Sequence, residues 1–209
     1  MPDIPFVILI YAFDLFGTMA FAVTGAFKAI EHKSDIVGII ILSIITGVAG
    51  GTIRDIIIGK FPPNSISDPS YVIVSVASAV ALFFLYAYLK KHWNVFLKFD
   101  AIGLGVFSIT GATFAYNIFG LNFLAMVFAG ILSAVGGGIL RDVFVNEVPI
   151  IFVKELYATA SFAGIVAFYL LLVGNTPLYI ASISGILITT SLRLVAMKYN
   201  WNLPRAREK

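Results

Sequence analysis

The sequence predicts an all-α integral membrane protein of seven transmembrane helices, arranged as 3+3 inverted repeats plus one extra helix. Three observations predict it: apolar runs long enough to span a bilayer, lysines and arginines gathered at alternate ends of those runs, and an internal repeat. Of 209 residues, 60% are hydrophobic and 12% charged, about half the charged share of a soluble domain. About 20 residues cover the hydrocarbon core, so length here counts helices rather than soluble domains.

The apolar segments run over roughly 4–30, 35–58, 68–89, 100–118, 122–145, 152–173 and 177–197. Met1-Pro2-Asp3 lacks the basic start of a secretory signal, so the first segment is expected to be a retained helix. Short separators hold the turn formers and most charges: Glu31-His32-Lys33-Ser34, Phe61-Pro62-Pro63-Asn64-Ser65, Lys90-Lys91-His92-Trp93-Asn94 and Gly174-Asn175-Thr176-Pro177. His32 and His92, beside lysines, read as solvated loop residues. No loop is long enough for an extramembrane domain. The chain divides into a first unit over 4–93, a second, inverted unit over 99–173, a seventh helix over 177–198 and a basic cytoplasmic tail over 199–209.

Charge placement sets the orientation. With the C-terminus inside, Lys28, Lys33, Lys90, Lys91, Lys98, Lys154, Lys198, Arg205, Arg207 and Lys209 fall on the cytoplasmic face, and only Lys60 falls outside. The expectation is a multi-pass cell-membrane protein with its N-terminus out and C-terminus in.

The repeat appears on shifting the sequence by about 86 residues. Phe13-Asp14 through Thr24-Gly25-Ala26 matches Phe99-Asp100 through Thr110-Gly111-Ala112, with seven identities in fourteen positions. Gly50-Gly51-Thr52-Ile53-Arg54-Asp55 matches Gly137-Gly138-Ile139-Leu140-Arg141-Asp142, Pro62 falls opposite Pro149, and Tyr71 and Ser75 match Tyr157 and Ser161. Three spans per unit is an odd number, so the second unit enters from the opposite side. In such proteins the ion or substrate site lies where discontinuous helices of the two halves meet.

The second and fifth spans carry Gly47 with Gly50-Gly51, and Gly136-Gly137-Gly138. Small residues can mark close helix packing, and Gly47/Gly51 fit that spacing. Three consecutive glycines, however, spread over about 200° of helix surface, which suits a break or kink. Freed backbone groups are tolerated in a membrane only against protein or water, so paired breaks would line a polar path. On that reading Gly50→Leu or Gly137→Leu should stop flux and leave assembly intact.

One turn beyond stand Arg54-Asp55 and Arg141-Asp142. Charges at this depth face the bundle interior or a cavity. Neighbours on a helix point about 100° apart, so symmetry suggests pairing across the repeat, Arg54 with Asp142 and Arg141 with Asp55. They are either internal latches or charges that set the field of a pore. Asp14 lies within its span, whereas Asp100 reads as an N-cap or interface residue. Thr24, Thr110, Thr46, Ser133 and Ser43 could line a path or bond their own i−4 carbonyls. No zinc, nucleophile-elbow or Walker motif is present, and there is no cysteine. No enzyme activity, metal site or nucleic-acid partner is expected.

The paired Gly-Gly-x-x-Arg-Asp segments, the Phe-Asp…Thr-Gly-Ala blocks and the helix count resemble the prokaryotic TRIC proteins, the trimeric intracellular cation channels. The resemblance covers roughly residues 6–198. It implies a homotrimer with a pore in each protomer, lined by the kinked second and fifth helices and passing monovalent cations, chiefly potassium. Gly50-Gly51 and Gly136–Gly138 would be the kinks, and Arg54, Asp55, Arg141 and Asp142 the charges beside the path. The chain lacks the Lys-Glu-Val segment that animal members associate with phosphoinositide. No cofactor is implied; potassium or sodium and membrane lipid are the expected partners. Similar sequences are also grouped under a glycine-transporter domain name, one copy per repeat. The alternative is therefore a secondary transporter of a small neutral solute such as glycine.

Overall fold

The computed structural model describes residues 4–89, 93–153 and 156–201. Lys90, Lys91, Lys154, Arg205, Arg207 and Lys209, which entered the orientation, and His92, read as solvated, lie outside the described residues, as does the tail beyond Trp201. The described chain is helical throughout: α1 (Ile4–Glu31), α2 (Ile36–Ile57), short α3 (Asn64–Ser67), α4 (Ser70–Leu89), α5 (Trp93–Phe119), α6 (Phe123–Phe144), short α7 (Ile150–Val153), α8 (Ala158–Val173) and α9 (Leu178–Tyr199).

Six of these helices are long and apolar enough to cross a membrane. The exception among the expected spans is α8, whose 16 residues begin at Ala158 rather than near 152. At 1.5 Å per residue it is about 24 Å long, short of a hydrocarbon core of about 30 Å. Large apolar side chains such as Phe84, Phe128 and Leu187 stay exposed, as befits a lipid-facing surface.

Matching sequence positions build matching local structure. Asp35 caps α2 by accepting from the Gly38 N–H at 2.8 Å, and Asn122 caps α6 by accepting from Ala125 N–H at 3.1 Å. Both helices end on a residue with left-handed backbone, Gly59 at φ 76° and Asn146 at φ 58°. The next N–H then returns to an aspartate carbonyl, Lys60 to Asp55 at 2.8 Å and Glu147 to Asp142 at 2.9 Å. Only glycine and asparagine enter that backbone region cheaply, so the turn is written into the residues.

Helices α1, α2 and α4 pack together, as do α5, α6 and α8; α1 meets α5 and α2 meets α6 between these groups, and α9 covers α5 and α8. Phe21 of α1 fills the space beside Gly103 of α5, and Phe107 of α5 lies 3.3 Å from where a Gly17 Cβ would stand. As the α1 position rises from Gly17 to Phe21, its α5 partner falls from Phe107 to Gly103. The two helices therefore run antiparallel.

Outside the bundle, the Tyr11 hydroxyl donates to Asp68 at 2.6 Å, tying α1 to the turn before α4. That bond, with the Ser70 N–H, holds the Asp68 carboxyl below its ordinary range. A depressed folded-state value contributes stability that is present above the unfolded value and lost as pH falls through the folded one. Tyr11→Phe should thus melt slightly below wild type near neutral pH and lose less between about pH 5 and pH 3, so that the two proteins converge in acid. An unaltered acid limb in Y11F would show that this contact does not carry that loss.

Candidate functional site

Each half buries one arginine between two carboxylates. In the first, Arg54 Nε donates to Asp55 at 2.9 Å, and its Nη1 and Nη2 donate to the two carboxylate oxygens of Asp14 at 2.9 and 3.3 Å. The Tyr71 hydroxyl donates to Asp14 at 2.9 Å, and the second Asp55 oxygen accepts from the Asn64 N–H that opens α3 at 2.7 Å. In the second, Arg141 donates from Nε to Asp142 and from Nη1 to Asp100, both at 2.8 Å, while Asp142 accepts from the Ile150 N–H of α7 at 2.9 Å. Both arginines and all four aspartates are buried.

This geometry replaces the expected cross-repeat pairing. Arg54 does not reach Asp142, nor Arg141 Asp55; each arginine binds its own neighbour and the aspartate of the first helix in its own unit. The 100° offset between neighbours is bridged because a long guanidinium side chain folds back, presenting Nε to one carboxylate and its tip to another. Asp100 is likewise no N-cap, for α5 begins at Trp93.

The halves differ in their surroundings. Both arginines lie over a ring, Arg54 over Phe114 with its guanidinium carbon 4.0 Å from the ring centre and Arg141 over Phe96 at 5.0 Å, but only the first has Lys60, 5.1 Å from the Phe114 ring. Arg141 also donates to Thr24 at 2.8 Å, a bond across to α1. Nearby, Lys28 bonds Glu147 at 2.6 Å, while His32 lies 3.4 Å from Glu147 and 2.9 Å from the Lys28 carbonyl. His32 is therefore engaged rather than simply solvated. Asp100 Oδ2 and the Tyr157 hydroxyl lack the bond that joins Asp14 to Tyr71, and Arg193 of α9 lies over the Tyr157 ring at 4.8 Å.

Between the clusters, α2 and α6 cross in backbone contact. A Cβ on Gly50 would overlap the Ser133 carbonyl, one on Gly137 would overlap the Thr46 carbonyl, and one on Gly136 would sit 3.3 Å from the Gly50 Cα. The pairing of Thr46 with Gly137 and of Gly50 with Ser133 makes these helices antiparallel too. Arg54 and Arg141, each one turn C-terminal of the crossing, thus lie on opposite sides of it. Phe21 and Phe107 pack beside the crossing, ring centres 5.3 Å apart and both buried.

Neither span is interrupted: α2 and α6 stay helical through all six glycines. Gly50, Gly136 and Gly137 instead permit the close crossing. Gly47 serves α1 and α4, its Cβ position lying 2.8 Å from Ser75 Oγ and 3.1 Å from the Thr18 carbonyl. Gly51 and Gly138 do something else. Their nearest neighbours include the guanidinium tips of Arg54 and Arg141, at 3.5 and 3.7 Å from the would-be Cβ, so they leave room beside each charge. Next to Gly51 is a cavity of about 10 Å³ bordered by Asp14, Thr18, Arg54, Tyr71 and Phe107, about enough for one water.

The hydroxyl candidates divide. Thr46 donates to the Leu42 carbonyl at 2.6 Å, Ser43 to the Ala22 and Ser75 carbonyls at 2.8 and 3.0 Å, and Thr24 to the Phe21 carbonyl at 2.7 Å. Thr110 and Ser133 are buried with no hydrogen-bond partner among the described residues. Sequence reasoning assigned no role to Tyr71, Tyr157, Phe21 or Phe107, although all four sit at matched repeat positions, which was the available signal.

Comparison with known proteins finds relatives over nearly the whole chain. The family model described as Glycine transporter matches twice, at residues 11–87 and 97–173. A UPF0126 membrane protein of Deinococcus radiodurans is 39% identical, over 93% of this chain and 90% of the relative. A structure solved to explain conductance through TRIC cation channels is 37% identical, covering 95% of this chain and 97% of that one with a TM-score of 0.85. The trimeric intracellular cation channel orthologue from Rhodobacter sphaeroides is 34% identical, covering 91% and 98%, with a TM-score of 0.87.

Proposed function

The chain belongs to the prokaryotic TRIC family, and from that premise we propose that it is a potassium-permeable monovalent cation channel with a path in each protomer of a homotrimer. The path runs from the Arg54 cluster past Gly51, between α2 and α6 where they cross, and past Gly138 to the Arg141 cluster. Seven spans complete the fold, with α8 as the sixth. The two units are inverted, in keeping with the antiparallel α1–α5 and α2–α6 contacts. The N-terminus lies outside and the C-terminus in the cytoplasm.

The observation that carries this reading is a pair of buried arginine–carboxylate clusters on opposite sides of one close helix crossing. The first holds two carboxylates against one guanidinium, a formal excess of one negative charge that attracts cations and repels anions. With the crossing in backbone contact, the described conformation is closed, and conduction requires α2 and α6 to part. Because their glycines remain helical, side-chain oxygens of Asp14, Thr18, Thr110 and Ser133 replace main-chain groups as the lining.

The amino-acid transporter reading fares worse at the same atoms. A glycine carboxylate needs free donors, and at the Arg54 cluster all three guanidinium nitrogens are committed to Asp14 and Asp55. The adjoining cavity of about 10 Å³ holds about one water and no amino acid.

The test is potassium efflux from proteoliposomes beside uptake of labelled glycine. Efflux should be dissipative and should rise at least several-fold in Phe107→Ala, which removes half of the aromatic pair beside the crossing. Saturable glycine uptake without potassium efflux would overturn the proposal.

A further inference from the structure

A second feature lies away from the proposed path, where the start of α5 meets the end of α9. Leu97, Lys98, Leu194, Met197 and Lys198 line a groove of about 400 Å³ there, large enough for part of a lipid. Its walls are apolar, and its two charged members are both lysines. Beside it, Lys198 Nζ lies 5.6 Å from the Tyr199 ring centre, and Tyr199 stacks on Trp201 at 6.2 Å. Tyrosine and tryptophan at a helix end mark the headgroup level of a bilayer. The groove thus joins aliphatic walls below that level to ammonium groups at it.

We propose that this groove is a binding site for an anionic phospholipid, its phosphate held between Lys98 and Lys198 and an acyl chain laid along Leu97, Leu194 and Met197. A zwitterionic lipid fits less well, because its own cationic headgroup would meet the two lysines. Basic pockets between membrane helices take anionic headgroups by this charge complementarity, strengthened by each lysine near the surface. The inference does not depend on conduction.

The protein supplies its own reporter, since it has two tryptophans, Trp93 and Trp201. In a Trp93→Phe background, Trp201 fluorescence is measured in phosphatidylcholine vesicles containing rising fractions of phosphatidylglycerol, with bromine on the acyl chains of one lipid or the other. Brominated phosphatidylglycerol should quench at roughly five- to thirty-fold lower mole fraction than brominated phosphatidylcholine. The preference should shrink at high salt and fall towards one in Lys98→Gln/Lys198→Gln. Equal quenching by both lipids would overturn the proposal, as would a preference unchanged in the double variant. Trp201 shielded from both lipids would place another copy of the chain over the groove and equally refute it. No readout involves ion flow, so this outcome is separate from that of the channel assignment.

Discussion

Arg54→Ala should destabilise the folded protein by about 3–5 kcal/mol, the largest single-residue effect expected here, read as an early loss of the monodisperse peak on heating in detergent. The guanidinium is buried and donates to Asp14 through both terminal nitrogens and to Asp55 through Nε. Removing it strands two carboxylates where water cannot reach them, and an unpaired buried charge costs more than the pair contributes. Asp14 also anchors Tyr71, and Asp55 anchors the first N–H of α3, so the damage spreads through α1, α3 and α4. Arg54→Leu with Asp14→Asn should recover part of the loss, because only the hydrogen-bonded Asp55 then remains charged. Arg54→Lys should rank between wild type and alanine, since an ammonium keeps the charge but not the fork. If R54A melts like wild type, the cluster does not hold the helices together.

The glycines give the second large effect, and it separates neighbours in the sequence. Gly50→Ala and Gly137→Ala should each destabilise by about 1–3 kcal/mol, because the new methyl meets a backbone carbonyl of the opposite helix that cannot rotate away. Gly51→Ala and Gly138→Ala should be neutral or stabilising by up to about 1 kcal/mol, the ordinary preference of a helix for alanine, since both face contacts of 3.5 Å or more. This alters the expectation that leucine at Gly50 or Gly137 would stop flux and spare assembly. The crossing itself would fail first. Thermal melting of the four single variants checks it, and equal effects at all four would contradict the packing account.

Much of this was legible in the sequence because a repeat filters chance. Apolar segments located the helices, and Asp35 and Asn122 marked two of their starts. The offset of about 86 residues singled out Asp14, Arg54, Asp55, Arg141 and Asp142, five of the six buried charges of the two clusters, while the sixth, Asp100, read as an N-cap or interface residue. What was missed follows from what sequence cannot encode. Helical angles place Cβ atoms, not the tip of an arginine, so the choice between Asp55 and Asp142 depended on side-chain reach. A run of glycines is equally consistent with a broken helix and with a close neighbour, and only the position of the other helix decides between them. Phe21 and Phe107 were in view as repeat identities but were indistinguishable from ordinary apolar matches. The Lys28–Glu147 pair, 119 positions apart, has no counterpart in the repeat: Lys28 aligns with Phe114 and Glu147 with Lys60.

That last exchange also makes the two mouths of the proposed path unlike. One carries an ion pair between α1 and the turn after α6; the other carries Lys60 beside Phe114. Two clusters with matched central charges but different mouths can respond differently to the two sides of a membrane.

The central claim is that cations pass between the two clusters when α2 and α6 separate. Single-channel recording of the purified protein in a planar bilayer with unequal potassium chloride on the two sides tests it most directly. The account predicts discrete currents reversing close to the potassium equilibrium potential, with Asp14→Asn moving the reversal towards zero. Reversal at the chloride potential, or no unitary current from protein that carries glycine, would contradict it.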